Sequence, residues 1–162
     1  MPVKPGRYTA SHSGPLTVFL IGMRINQFWR IDKWLPVAKA MPPMLLELAA
    51  DADSGFLGSE TVLQGLRTIL VIQYWDGFAN LERYARAADK RHRPAWTSFN
   101  KSIGDDGTVG IFHETYTVTP GGSETVYNNM PIWGLGQVAG VEPATGSLKT
   151  ARDRLTRSNP TL

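Results

Sequence analysis

Residues 66–75 read LRTILVIQYW and form the clearest strand pattern in this chain of 162 residues. The stretch combines β-branched and aromatic side chains, which suit a pleated and half-buried surface. Residues 17–26, TVFLIGMRIN, have the same character, and residues 108–118, TVGIFHETYTV, predict a last strand. Residues 61–64 predict a short strand just before the central one. The chain therefore contains four predicted strands.

Two helical regions separate these strands. Between the first two strands, apolar residues recur with a helical period, and Pro42 and Pro43 predict two helical pieces that meet near Met41. Asp76 is predicted to cap a second helical region, which Pro94 interrupts. The order strand, helix, strand pair, helix, strand is the ferredoxin-like βαββαβ pattern, so we predict an α+β fold.

The two ends of the chain differ from its middle. Residues 1–15 are polar and predict an N-terminal arm, whereas residues 16–120 hold the predicted ferredoxin-like domain. Residues 121–162 predict an irregular segment whose Ile132 and Trp133 pack on the domain or on a partner subunit. A sheet with helices on one face must bury its other face. We therefore expect a homodimer, a dimeric α+β barrel; the rival is a monomer whose C-terminal segment covers the sheet.

Composition excludes several classes of protein. The net charge is +3, from 17 basic and 14 acidic residues that are scattered along the chain, which disfavours a nucleic-acid binder. There is no cysteine, so disulfides and thiolate metal sites are excluded, and with three histidines we expect no metal site. Neither a signal peptide nor an apolar run of membrane-spanning length is present, which predicts a cytoplasmic protein without membrane contact.

His113 is the most informative candidate for chemistry. An imidazole that faces a pocket can act as a base near pH 7, or it can hold a haem iron as an axial ligand. The alternative is a strand histidine that is hydrogen-bonded to a neighbour. Because strand side chains alternate, only one of His113 and Glu114 can face a pocket, and Tyr116 lies on the same side as Glu114.

Other polar and aromatic residues are weaker candidates. His92, Trp96 and Asn100 are four residues apart and share a helix face if the helix is continuous, although Pro94 leaves the register of His92 open. Trp96 is either a core residue or a pocket wall. Arg24, late in the first strand, either needs an anionic partner or lies at a surface edge.

Three further side chains are predicted to bind a ligand. Gln73 and Trp75 come at the end of the central strand, and Tyr84 lies on the apolar face of the helix that follows. Glu114 and Tyr116 complete the predicted binding set if their face of the last strand is the one that lines the pocket.

Several blocks of the sequence resemble one bacterial and fungal family. In order, they are GRYTA, VFLIGMRIN, WLPVAKAMPPML, SGFLG, QYW, HRPAW, VGIFHETY and NMP. The family is DUF4188, described as resembling the fumagillin-pathway monooxygenase, and the resemblance extends over residues 6–155. This family is in turn similar to the antibiotic-biosynthesis monooxygenases, which share the dimeric α+β barrel.

The resemblance implies an oxidoreductase of secondary metabolism. Such enzymes oxidise aromatic or polyketide substrates with molecular oxygen, often without metal or flavin, so no cofactor is expected. It implies His113 as the base, Arg24 or Asn100 as the group that stabilises the anion, and Trp96 and Trp75 as aromatic walls.

Two alternatives remain beside the monooxygenase. One is a haem protein that is related to haem-dependent dehydratases or to haem-degrading monooxygenases, with His113 or His92 as the axial ligand. The other is a protein that binds a hydrophobic ligand without catalysis.

Overall fold

The computed structural model describes residues 2–87 and 92–158, without the side chains of residues 92–96 and 158. Its elements, in chain order, are β1 (Lys4–Ala10), β2 (Leu16–Ile25), α1 (Ile31–Ala50), β3 (Phe56–Gln64), β4 (Thr68–Trp75), α2 (Phe78–Arg86), α3 (His92–Ser102), β5 (Val109–Val118), β6 (Tyr127–Met130), α4 (Leu135–Ala139), β7 (Val141–Pro143), a 3₁₀ turn (Gly146–Leu148) and α5 (Ala151–Ser158).

The main sheet has four strands in the order β3-β4-β2-β5, and every neighbouring pair is antiparallel. With α1 between β2 and β3, and with α2 and α3 between β4 and β5, this is the ferredoxin-like arrangement. The predicted fold class is therefore confirmed. The predicted short strand at 61–64 is the end of the longer β3.

Helix α1 is continuous over 20 residues, so the prediction of two pieces is wrong. Proline removes a helical hydrogen bond, but its fixed φ is compatible with the helix, and tertiary packing holds the segment together. Trp34 and Val37 pack at one end of the sheet, and Leu48 packs at the other end. Lys33 further fixes the helix, because its Nζ donates to the carbonyl of Ser102.

The boundaries of the second helical region also differ from the prediction. Gly77, with φ of 83°, is the N-cap of α2, and no side chain caps the helix there; the prediction of Asp76 is wrong by one residue. Helix α3 begins at His92, before Pro94. Gly104 follows α3 with φ of 50°, a left-handed conformation that glycine adopts without strain. Among the described residues, no helix is both long and apolar enough to cross a bilayer.

The two ends of the chain form a second sheet, of order β6-β1-β7. The predicted arm is thus partly a strand, and the predicted irregular segment contains two strands and two helices. The strands of this sheet come from the two ends of the chain, and local composition does not indicate pairing between segments so far apart in sequence. Arg154, on α5, is 6% exposed, and its guanidinium donates to Glu124 and to the carbonyls of Leu148 and Lys149.

The main sheet is covered differently on its two faces. On the inner face, α1, α2 and α3 pack over two separate apolar clusters, one around Met23 and one around Trp75. On the outer face, α4 and the second sheet cover one end of the main sheet, where Leu135 packs near Tyr74. The other end of the outer face carries Phe112, which is 40% exposed.

Candidate functional site

A cavity of about 510 Å³ lies between the inner face of the main sheet and the three helices α1, α2 and α3. Strands β2 and β4 supply Ile21 and Val71 to its floor, and α1 supplies Met41 and Met44 to its roof. Its walls are mainly aliphatic. Cavities of this size and character are typical of sites for small hydrophobic molecules.

His113 lines this cavity from β5, which is an edge strand of the sheet. It pairs with Ile21 on β2, and the centre of its ring lies 5.6 Å from the centre of the Phe19 ring. Among the described residues, none makes a hydrogen bond to its imidazole. Of the lining residues that the structure describes, His113 is the only histidine, and Thr115 lies beside it on the same face.

Charged and hydroxyl groups line the helical side of the cavity. On α2, Arg86 Nη2 lies 2.7 Å from Glu82 Oε1, an ion pair at the i,i+4 spacing. On α3, Ser98 and Ser102 reach the cavity, and the Ser102 hydroxyl donates to the Ser98 carbonyl at 2.7 Å. The polar groups thus lie on three elements, with β5 on one side of an apolar middle and α2 and α3 on the other.

A smaller cavity of about 50 Å³ adjoins the first and shares Phe19, Met41 and Met44 with it. Gln73 and Tyr84, both predicted as binding residues, line this smaller space. Gln73 is 4% exposed. The structure therefore brings two predicted residues to the inner end of the site, although not to the main cavity itself.

Trp75, a predicted aromatic wall, is a core residue and lines neither cavity. Its side chain is fully buried and packs with Leu48 and Leu81. The ring centres of Phe56 and Tyr84 lie 5.3 Å and 6.0 Å from that of Trp75. The strand pattern could not distinguish a wall from a core residue, because both face the helices.

Three predicted site residues lie on the other side of the sheet. Arg24 is exposed there, because side chains alternate along β2 and its neighbour Met23 faces the cavity. Glu114 and Tyr116 alternate with His113 and also face outward. The Tyr116 hydroxyl donates to Glu114 at 2.6 Å, and this bond raises the pKa of the Tyr116 phenol. The structure does not bring these residues to the cavity.

The predicted helical residues have separate outcomes. Asn100 is exposed on α3 and does not line the cavity, whereas its neighbour Phe99 does. The side chains of His92 and Trp96 lie outside the described residues, so their predicted roles remain predictions.

Several lining residues were not singled out from the sequence as binding residues. The first strand places Phe19 and Ile21 on the face of His113, and this alternation was the available signal. The spacing of Glu82 and Arg86 suggests an ion pair on a helix but not that a cavity lies beside it. Methionines on α1 carry no positional signal, because methionine is equally common in closed cores.

The described residues contain no cluster of three or more His, Cys, Asp or Glu side chains that could hold a metal ion. The lining groups can exchange a proton through His113 and make hydrogen bonds through Thr115 and the α3 serines. Apart from the Glu82–Arg86 pair, the remaining surface is apolar and can exclude water from a bound molecule.

Comparison with solved structures gives low identities and a consistent fold. An aldoxime dehydratase in complex with butyraldoxime is 14% identical with a TM-score of 0.67, over 96% of this chain and 45% of that one. A second aldoxime dehydratase is 18% identical with a TM-score of 0.63, over 96% of this chain and 46% of that one. The chain thus spans a little under half the length of these dehydratases, and the likeness is one of fold.

SnoaB, a cofactor-independent oxygenase from Streptomyces nogalater, also matches, with 10% identity and a TM-score of 0.47 over 65% of this chain and 94% of that one. No curated protein matches the sequence. A family model described as Monooxygenase af470-like matches residues 16–135, which is well over half of the chain and contains every element that lines the cavity. The chain therefore belongs to the Monooxygenase af470-like family.

Proposed function

We propose that this protein is a small-molecule monooxygenase that oxidises an aromatic or polyketide-type hydrophobic substrate with molecular oxygen, without metal or flavin. The observation that carries the proposal is the position of His113, an exposed side chain on the edge strand β5, in the wall of a mostly apolar cavity of about 510 Å³. A neutral imidazole is a suitable base near pH 7. Membership of the monooxygenase family adds support.

The proposed reaction begins with proton transfer from a substrate phenol or enol to the imidazole of His113. The resulting anion passes one electron to dioxygen, and the substrate radical combines with superoxide to give a peroxide anion. This anion takes the proton back from the His113 imidazolium and becomes a hydroperoxide. Loss of water from the hydroperoxide leaves a carbonyl. One CH₂ group and one O₂ thus give one C=O and one H₂O, so the carbon is oxidised as the dioxygen is reduced.

The protein would contribute a mostly apolar surface and a proton acceptor. Arg24 and Asn100 do not line the cavity, so the substrate anion needs another partner. We assign that role to the imidazolium that forms on His113 and to the adjacent Thr115 hydroxyl. Opposite charges that form together in an apolar site stabilise each other more than they would in water.

Replacing His113 tests the proposal. We expect His113→Ala to abolish oxygen uptake in the presence of 1,8-dihydroxyanthrone, measured with an oxygen electrode, because the substrate keeps its proton. His12→Ala is the matched control, since His12 lies outside the cavity and contacts the carbonyl of Pro15. Unchanged uptake in a folded His113→Ala variant would remove this residue from the mechanism, and binding without uptake in the wild type would favour a non-catalytic ligand-binding protein.

A haem protein is the second candidate, because His113 lies in an apolar cavity and could serve as an axial ligand. The described lining fits haem poorly, however. Haem carries two propionates, whereas Arg86 is the one arginine or lysine among the described lining residues and Glu82 already pairs with it. Titration with haemin separates the candidates: a sharp Soret band that His113→Ala removes would favour haem, and its absence would favour the cofactor-free enzyme.

We further propose that the protein is a homodimer, formed through the part of the outer face that the C-terminal segment leaves uncovered. Phe112 and Tyr116 are 40% and 53% exposed there. Burying such side chains against a second copy would remove apolar area from water. We expect Phe112→Glu to convert a dimer to a monomer in light scattering, while Leu66→Glu, in a loop, has no effect. A monomeric wild type would contradict this proposal.

A further inference from the structure

Gln73 is a buried polar residue on the inner face of β4, where every neighbour on the same strand face is apolar or aromatic. Its side chain is 4% exposed, and it lines the smaller cavity of about 50 Å³ that adjoins the main one. A buried carboxamide needs partners for one acceptor and two donor hydrogens. Where those partners lie determines what the inner end of the site can bind.

Trp75 fixes the orientation of this carboxamide. The Trp75 Nε1 lies 3.0 Å from Gln73 Oε1 in a buried hydrogen bond. An indole nitrogen is a donor only, so the group that faces it must be the amide oxygen and cannot be the amide nitrogen. Because Trp75 is fully buried between Phe56 and Tyr84, its ring cannot move aside. The NH₂ group is therefore held in one orientation.

Among the described residues, none accepts a hydrogen bond from Gln73 Nε2, although the side chain is almost completely removed from solvent. Gln73 Nε2 is not among the fully buried polar atoms that lack a hydrogen bond, so it keeps some accessible surface, where water or a ligand can supply the acceptor. The adjoining space is large enough for a water molecule or for one small functional group.

We propose that Gln73 forms an inner subsite that binds an acceptor oxygen of the ligand, such as a ketone or quinone carbonyl. The apolar body of the ligand would fill the main cavity, and its carbonyl would accept a hydrogen bond from Gln73 Nε2. Gln73 contacts the ligand, whereas Trp75 acts as a positioning residue. The inference rests on the proposed use of this cavity for a hydrophobic molecule, but it does not depend on oxygenation.

The sheet geometry also limits the shape of the ligand. Gln73 pairs with Phe19, Phe19 pairs with Thr115, and His113 is two residues further along β5. From the spacing of neighbouring strands and of residues along a strand, the Cα atoms of Gln73 and His113 are roughly 12 Å apart. A substrate that reaches both residues would be elongated, with a carbonyl at one end and the acidic group at the other.

A matched pair of probes tests this subsite without turnover. 2-Acetylnaphthalene and 2-isopropenylnaphthalene have nearly the same shape, and only the former has an acceptor oxygen. We expect the wild type to bind the ketone about 3- to 10-fold more tightly, the value of one net hydrogen bond, as measured by calorimetry. In Gln73→Met this preference disappears, while the affinity for the hydrocarbon is unchanged.

Gln73→Glu is the second variant, because it keeps the acceptor for Trp75 but replaces the donor with an oxygen. At pH 8.5 it should bind the ketone more weakly than the hydrocarbon. A ketone preference that persists in folded Gln73→Met, or that is absent from the wild type, would overturn the subsite. If the subsite is present and oxygen uptake is not, the oxygenation proposal fails alone; if neither probe binds, both proposals fail.

Discussion

Tyr74 and Trp75 are consecutive residues on β4, and they belong to opposite sides of the molecule. Trp75 points to the helices and is fully buried in the cluster beside the cavity. Tyr74 points outward and is covered by α4, where burial raises the pKa of its phenol. The two side chains are about equally removed from water, but the layers that cover them differ.

The difference shows how the chain keeps a cavity open on one face only. On the inner face, α1 carries alanines and prolines where it crosses the middle of the sheet, so Pro36, Ala38 and Ala40 leave space unfilled. On the outer face, the C-terminal segment brings its backbone close to the sheet. Gly134, for example, packs tightly against the Tyr74 side chain, because a Cβ on this residue would lie only 3.0 Å from the Tyr74 hydroxyl oxygen.

The largest effect is expected at Trp75. Trp75→Ala should lower the free energy of unfolding by about 3–5 kcal/mol, because it leaves a large hole in a packed cluster. Urea unfolding followed by circular dichroism measures this loss. A loss below about 1 kcal/mol would instead mean that Trp75 is a pocket wall with room around it, as the sequence pattern allowed.

Gly136 tests the closed outer face. A Cβ on this residue would lie 2.8 Å from Val141 Cγ1 and 2.9 Å from Tyr127 Cε2. Tyr127 cannot easily withdraw, because its hydroxyl accepts a hydrogen bond from the Gly136 amide at 2.9 Å. We expect Gly136→Ala to cost about 1–3 kcal/mol in thermal unfolding, despite the better helix propensity of alanine. Gly14→Ala, where the nearest atom is 3.7 Å away, is the neutral control.

Ala40, on the inner face, tests whether the cavity is open there. Ala40→Leu adds volume where the cavity has space, so the free energy of unfolding should stay within about 1 kcal/mol of the wild type. The affinity for a naphthyl ketone should nevertheless fall about tenfold, since the new side chain occupies the ligand's volume. Calorimetric titration and thermal unfolding of the same sample measure both quantities. A destabilised variant with normal affinity would show that the region is packed rather than open.

The smallest effect on stability is expected at Asp106, in the loop that precedes β5. The Thr108 hydroxyl and amide donate to its carboxylate at 2.5 Å and 2.9 Å, and with Lys33 nearby they hold the pKa of Asp106 at about 2 instead of 3.8. Because the folded state has the lower pKa, this stabilisation is complete above pH 3.8 and is lost as the pH falls towards 2.

The pH dependence can be isolated with Asp106→Asn, which lacks the titrating group. The melting temperature of the wild type should exceed that of the variant at pH 6, and the difference should shrink as the pH falls from about 4 to 2. A difference that stays constant over this range would show that the carboxylate is equally protonated in the folded and unfolded chains.

Much of the fold could be predicted from local patterns. The strands β2, β4 and β5 lie within one or two residues of the predicted ranges, because β-branched and aromatic runs have strong local preferences. The continuous α1 and the second sheet could not be predicted in this way. Both depend on packing between residues that are far apart in sequence, which outweighs local signals such as Pro42 and Pro43.

The candidate site, too, could be predicted only where local patterns decide the outcome. Alternation along β5 required that His113 and Glu114 face opposite ways, and the sequence by itself determined that much, together with the order of strands and helices along the chain. Only the tertiary structure decided that His113 faces the cavity, that Arg24 does not, and that Trp75 orients Gln73. A strand pattern places side chains on a face, but whether that face is filled or left open depends on the volume of side chains that other elements bring to it.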